Sequence, residues 1–355
     1  MAGETVTIDG SFGEGGGQIL RTSVGLAAAL WGRRHGPKVL QVDNIRANRP
    51  KCGLGAQHLA AVRAAAAVVG GRLHGAEIGS TSLQFRPGRS RAGTYHFEIA
   101  TAGSAMLLLQ TILPALAVAE GNSEVTVTGG THNPFAPCFE YFSGVFAPLA
   151  EGANVSLSAT LEQAGFYPAG GGRVRCQIRG LGSPEHVGPL KLLSRGPLRH
   201  IEGVSGVSAA LPIRIAERQA AQAIARLRKA GMRSSVEQVQ WPTTSPGTVV
   251  FLRAVFSRSV AGSFALGAKG KPAERVADEA ADEMLAFLDA NGAVDPHAAD
   301  QLITLLALSP GASELATTTV TDHLLTNAEV IRRIAGREVT VTGKPGGPGH
   351  VRISD

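Results

Sequence analysis

The chain has 355 residues, 44% of them hydrophobic and 17% charged, which suffices for two or more domains with well-buried cores. Gly, Arg or Gln interrupts every apolar run before it reaches spanning length, and Glu4, Asp9 and Glu14 break up any secretory leader, so no membrane partner is expected. Three widely spaced cysteines, Cys52, Cys138 and Cys176, argue against a disulfide framework and for a reducing, cytoplasmic setting; a net charge of +6 allows an anionic partner but is mild for wrapping a long duplex.

Residues 4–9 alternate as a strand, break into Gly10-Ser11-Phe12-Gly13-Glu14-Gly15-Gly16-Gly17, and reopen as a helix over 17–30. A strand, a glycine turn and a helix N-terminus together suit an anion, because glycine lets backbone N–H groups come close and the first helical turn leaves donors unpaired. Neither known phosphate loop fits: the dinucleotide fingerprint needs Gly or Ala where Gln18 stands, and Gly-Lys-Ser/Thr occurs nowhere. What remains is a carboxylate, Glu14, and a guanidinium, Arg21, on either side of the turn, with a plain strand-to-helix connection as the alternative.

A strand over 39–45, a helix over 53–69 and strands over 73–78 and 82–86 follow, giving the order βαβαββ. The same order recurs as strand 95–100, helix 103–119, strand 124–128, helix 138–150 and strands 154–159 and 173–179. A third copy is cut short at its front: helix 296–308, strand 314–320, helix 325–334, then strands 338–342 and 350–353. The expectation is an α+β fold of three repeated βαβαββ units over 1–184 and 292–355, each a sheet covered on one face by two helices. Residues 185–291 form a small α/β insert domain with a strand at 200–207, an Arg-rich helix at 213–230, strands at 236–239 and 248–256 and an acidic helix at 273–288. Nothing in the insert has a catalytic pattern, so it is expected to shape one rim of a cleft.

Polar residues recur at matching places. Gln18 with Arg21, Gln110, and Asp300 with Gln301 fall on the first helices; Gln57 with His58, residues 133–137, and His323 with Asn327 fall at the starts of the second helices. If the copies pack about a pseudo-symmetry axis, these ends converge and three helix N-termini face an anion, although capping is the commoner fate of any one of them. Arg46, Arg49 and Lys51 lie in a Pro-bounded loop suited to phosphate. His323 ends a Thr-rich strand and opens a helix, where a neutral imidazole can act as a nucleophile. No Ser-His-Asp order, His-Glu-x-x-His or Cys-x-x-Cys pattern competes with it.

Taken together, Gly-Ser-Phe-Gly-Glu-Gly-Gly-Gly-Gln-Ile-Leu-Arg at 10–21, Arg46-x-x-Arg49-Pro50, Gln57-His58-Leu59, Thr101-Ala102-Gly103-Ser104, Gly165-Phe166-Tyr167-Pro168 with its glycine triplet, and His323-Leu324-Leu325-Thr326-Asn327 resemble the RNA 3'-terminal phosphate cyclases. The motifs cover nearly the whole chain outside the insert, and their joint order is far more specific than any one of them. The resemblance implies three repeated units with an inserted domain. It also implies a reaction in which His323 takes AMP from ATP, AMP passes to an RNA 3'-phosphate, and the 2'-hydroxyl displaces it to leave a 2',3'-cyclic phosphate. By the same resemblance Arg21, Arg46, Arg49, Gln57 and His58 contact the substrate phosphate, and Gln110, Pro137, His297, Ala298, Ala299, Asp300 and Gln301 bind ATP, the adenine stacking between Pro137 and His297. Glu14 would hold a divalent metal, Mg2+ or Mn2+, and the partner would be RNA with a 3'-phosphate end. His132 stands where many members carry Asp, and the resemblance gives it no role. A non-catalytic relative in ribosome assembly would lack the histidine; the carboxyvinyl transferases, which share the repeated unit, would need a basic cleft without one.

Overall fold

The computed structural model describes residues 5–33, 36–243 and 245–354; residue 4 of the first expected strand lies outside them. Strands β1 (Thr5–Asp9), β2 (Val39–Asp43), β3 (Arg72–His74) and β4 (Leu83–Arg86) form a sheet in the order β1-β2-β4-β3, with helices α1 (Gly17–Ala29) and α2 (Ala56–Val69) in its connections. Next come β5 (Thr94–Glu98), α3 (Ala105–Ala117) and β6 (Ser123–Gly129). The chain then runs through α4 (Phe139–Tyr141), a π turn (Phe142–Phe146) and α5 (Ala147–Glu151) into β7 (Leu157–Gln163) and β8 (Gly172–Ile178), and this sheet has the order β5-β6-β8-β7.

The short β9 (Lys191–Leu192) precedes a sheet of its own, made of β10 (Leu198–Ser208), β11 (Ser234–Trp241), β12 (Thr248–Phe256) and β13 (Val260–Leu266) in the order β11-β10-β12-β13 and backed by α6 (Arg214–Lys229) and α7 (Ala273–Asp289). The chain then supplies α8 (Pro296–Leu306), β14 (Ser313–Thr317), α9 (Asp322–Ala335), β15 (Glu338–Gly343) and β16 (Gly349–Ser354). With β9 they give the order β9-β14-β16-β15. In each of the three sheets other than β10–β13, the first pair is parallel and the other two are antiparallel.

The helices of these three sheets bury against one another. Val24 and Leu26 of α1, Val62 of α2, Leu108 and Ile112 of α3, Leu302 and Ile303 of α8 and Ile331 of α9 belong to one apolar cluster, and all are inaccessible to solvent. Small residues set the spacing: a side chain at Gly25 would run into the Thr111 carbonyl on α3, so α1 and α3 cross closely only because that position is bare. β12 is buried on both faces. Val250, Leu252 and Ala254 pack on α6 and α7 in a second cluster, while Val249 and Phe251 join the main core, which explains its near-continuous apolar run.

Helix and strand boundaries move where the backbone is bent. The helix expected from residue 53 begins at Ala56, because Gly53 has φ +77° and its N–H bonds the Ile45 carbonyl. The strand expected over 154–159 is displaced to Leu157–Gln163, behind a left-handed Asn154. Two strands had no counterpart in the sequence reading. β13 is rich in Ala, Gly and Ser, and β9 is only two residues long; β9 falls in the stretch expected to belong to the insert, yet it pairs with β14. Among the described residues no helix is long and apolar enough to cross a membrane.

Candidate active site

A cavity of about 460 Å³ opens between α1, α3, α8, the loop before α4, β13 and the start of α9. Arg21, Gln110, Pro137, His297, Asp300, Gln301 and His323 line it, so seven of the expected residues meet there. Gln18, Thr22, Phe135, Phe264 and Asn327 line it as well. Phe264 comes from β13 and left no periodic signal to find it by.

His323 is the second residue of α9. Thr321 caps that helix, accepting a hydrogen bond from the Leu324 N–H at 3.0 Å and donating its own hydroxyl to Asp300 Oδ1 at 2.6 Å. Asn327 ties the next turn, donating to the Asp300 carbonyl at 2.8 Å and accepting from Thr22 on α1 at 2.7 Å. The His323 ring is therefore aimed by a helix fixed at both of its first two turns. Its Nδ1 lies 2.9 Å from Glu14 Oε2, so an N–H on that nitrogen faces a carboxylate and the Nε2 lone pair stays free. Burial lowers the imidazole pKa, and Arg21, His297 and Arg49 lower it further against the opposing pull of Glu14. The ring is consequently neutral at neutral pH.

Glu14 also meets Arg49 Nη2 at 3.1 Å, through the same oxygen that faces His323. The glycines around it serve close approach. Gly15, at φ +57°, leaves room for Asn48, and a side chain at Gly17 would collide with His58 Nε2. His58 in turn is driven down to about 3, by burial first and then by Arg21 and Arg46, so it is a neutral group set among cations, with a buried Nδ1 that has no partner.

Arg21 lines the cavity half-buried, and desolvation lowers its pKa to about 10 and leaves it charged at neutral pH. Among the described residues it makes no ion pair or hydrogen bond. A half-buried cation with no partner is poised for an anion that enters the cavity. Gly16 and Gly55, the caps of α1 and α2, supply no side-chain cap, and the open N-termini of both helices add N–H donors nearby. The other long helices of these sheets are capped, α3, α8 and α9 by Ser104, Asp295 and Thr321.

The remaining expected residues divide. Gln110 Nε2 donates to Gln301 Oε1 at 2.7 Å, binding α3 to α8 across the cavity wall. Arg46, Arg49, Gln57, His58 and Glu14 lie outside the lining proper; Arg46 holds the Gly53 carbonyl at 3.0 Å, and Gln57 Oε1 accepts from the Ser104 N–H at 2.8 Å. Ala298 and Ala299 are fully buried in the main cluster and absent from the lining, and the Ala298 N–H is taken by Asp295. They sit on α8 directly between His297 and Asp300, which do reach the cavity.

His297 and Asp300 are pushed in the same direction. Burial opposes charge on His297, but Glu283, Asp295 and Asp300 outweigh it and bring the ring to about 9, while burial raises Asp300 to about 7. His132 lies away from the cavity. It is buried, 2.9 Å from Glu140 Oε2, bonded to the Thr131 hydroxyl at 2.8 Å, stacked on Phe166 and tilted against Trp241. Among the described residues no group of three or more His, Cys, Asp and Glu side chains is arranged to hold a metal.

The sequence model of the RNA 3'-terminal phosphate cyclase family matches residues 12–341. A protein of Methylococcus capsulatus named RNA 3'-terminal phosphate cyclase is 42% identical over 353 residues, covering 98% of this chain and 95% of its own. One of the same name from Hyperthermus butylicus is 42% identical over 338 residues, 93% and 91% of the two chains, and one from Methanopyrus kandleri is 39% identical over 355 residues, 98% of each. A match that runs through the cavity-lining helices and almost the full length of the chain places it in a family: the chain belongs to the RNA 3'-terminal phosphate cyclases.

Proposed function

We propose that the protein converts an RNA 3'-terminal phosphate to a 2',3'-cyclic phosphate at the expense of ATP, in the cytoplasm, through AMP carried on His323. The observation that carries this reading is the pairing, in one cavity, of a neutral imidazole whose Nε2 is free with a half-buried guanidinium that has no partner. A nucleophile and an unspent cation are what transfer of a phosphorus group needs.

In the first step His323 Nε2 attacks the α-phosphorus of ATP, the bond to the β-phosphate bridging oxygen breaks, and pyrophosphate leaves. Glu14 holds the Nδ1 proton and stabilises the charge that develops on the ring. Arg21 faces the phosphate oxygens, and Pro137 and His297 flank the adenine. An oxygen of the RNA 3'-phosphate then attacks the same phosphorus, and the P–N bond breaks with its electrons returning to Nε2. The RNA end now carries an adenylate, so its own phosphorus has a good leaving group. The vicinal 2'-hydroxyl attacks, loses its proton to solvent, and expels AMP. Arg46, Arg49, Gln57 and His58, gathered beside the open ends of α1 and α2, are assigned to the RNA phosphate.

A divalent ion fits this donor set only as a guest of the triphosphate, since Glu14 is the one carboxylate at His323 and Mg2+ commonly takes one or two carboxylates plus phosphate oxygens. Held by Glu14, it would supply positive charge against the leaving pyrophosphate. We further read the three sheets of equal order as three equivalent βαβαββ units, with residues 198–289 inserted after the first strand of the third.

Incubation with ATP labelled at the α-phosphate and a divalent metal, followed by a denaturing gel, tests the reading. A labelled, acid-labile and alkali-stable adduct is expected with the native chain. Survival of that adduct in His323→Ala would remove the histidine from the mechanism.

A further inference from the structure

Phe135 is fully exposed, at 104% of its reference surface, and of the exposed large apolar side chains among the described residues it alone lines the cavity. Its backbone is left-handed, at φ +62°, a conformation that a bulky residue adopts only under constraint. The constraint is visible on both sides. Pro134 and Pro137 flank it closely, Asn133 is buried and donates to the Ala102 carbonyl, and the Phe139 N–H bonds the Thr131 carbonyl at 3.1 Å. A tethered, proline-stiffened loop thus holds an aromatic ring out at the cavity mouth with both faces bare.

We propose that Phe135 is a nucleobase platform that stacks the terminal base of the RNA. This deepens the cyclase reading and rests on it. Two nucleobases could come to this ring: the adenine of ATP and the last base of the RNA. In the cyclase reading the adenine already sits inside the cavity, between Pro137 and His297, both of which line it. The RNA, by contrast, must bring its 3'-phosphate to the phosphorus on His323, which leaves the base of the same nucleotide one sugar away, at the mouth. A bare aromatic face there stacks any base and reads none, so the platform secures the end of the strand without selecting its sequence.

The test combines a protein change with a substrate change. Binding is measured by fluorescence anisotropy for oligoribonucleotides ending in a 3'-phosphate, with the last nucleotide either intact or abasic, to the native chain, Phe135→Ala and Phe135→Trp. Labelling by α-labelled ATP is followed in parallel as a function of ATP concentration. The native chain should bind the intact end roughly tenfold more tightly than the abasic one. Phe135→Ala should bind both equally weakly, Phe135→Trp should restore the difference, and the ATP dependence of labelling should be the same in all three. Unchanged binding in Phe135→Ala, or a loss of equal size with the abasic end, overturns the platform; a raised KM for ATP in labelling assigns the ring to adenine and overturns it too. Failure of the native chain to form a cyclic phosphate would sink the underlying cyclase reading, and that is scored separately from these binding ratios.

Discussion

Arg21 is a residue whose place in the fold works against stability. Its pKa is lowered to about 10 because burial penalises the charge, so the folded state holds the cation less comfortably than the unfolded chain does. Arg21→Met should therefore leave the protein at least as stable, by about 1 kcal/mol in its favour, while histidine labelling by ATP collapses. Thermal melts beside the labelling gel would show it, and a lower midpoint in the variant would contradict it. Asp300 gives a second test, through pH. Its carboxyl is raised to about 7, so between about 4 and 7 the folded chain retains a proton that the unfolded chain gives up, and stability falls as pH rises through that window. Asp300→Asn removes this loss. The midpoint of the variant relative to the native chain should climb from pH 4 to 7 and level off above it, and a difference independent of pH would refute the assignment. Both residues were legible as candidates from their positions on helices. The contacts within the site were not: Glu14 and His323 are 309 residues apart in sequence, and nothing in either segment announces that they touch.

At the scale of elements, α9 concentrates the positional control. A single hydroxyl, Thr321, both caps the helix and occupies Asp300, so the cap, the acid and the histidine form one unit. Thr321→Ala should lower stability by about 1 kcal/mol and slow labelling, whereas Thr321→Ser, which keeps the oxygen, should recover both. Stability curves and labelling rates measured on the two variants would check this; a full effect from serine would mean that the methyl group matters instead. The long helices were readable from their apolar periodicity, helped in α1, α2, α3 and α9 by a glycine or hydroxyl residue at an end. The strands β9 and β13 were not, since two residues make no period and small residues carry no alternation. The glycine run before α1 was legible as unusual but not as to cause: it makes room for Asn48, Arg49 and His58, which come from elsewhere in the chain.

At the scale of the whole molecule, the sheet β10–β13 does more than decorate a rim. Its Trp241 packs, tilted, against both His132 and Phe166, and Arg253 reaches the Gly144 carbonyl in the π turn at 3.1 Å. His132, the departure that the sequence left without a role, is thus a buried joint with Glu140, whose carboxyl His132 holds below its usual range although burial alone would raise it. The part of Glu140 in stability is present at neutral pH and is lost as pH falls through the lowered value. Composition marks residues 185–291 off from the rest but not which of them face the other sheets, because that depends on how the sheet β10–β13 docks.

Phe264 gives that docking a thermodynamic meaning. The side chain belongs to β13, whereas every helix that meets it across the cavity lies outside residues 198–289. Any molecule that touches Phe264 and those helices at once binds the docked arrangement better than a separated one, and by linkage it must tighten the docking by the same free energy. Filling the cavity and fastening the two parts of the chain are then one equilibrium, observed from its two ends.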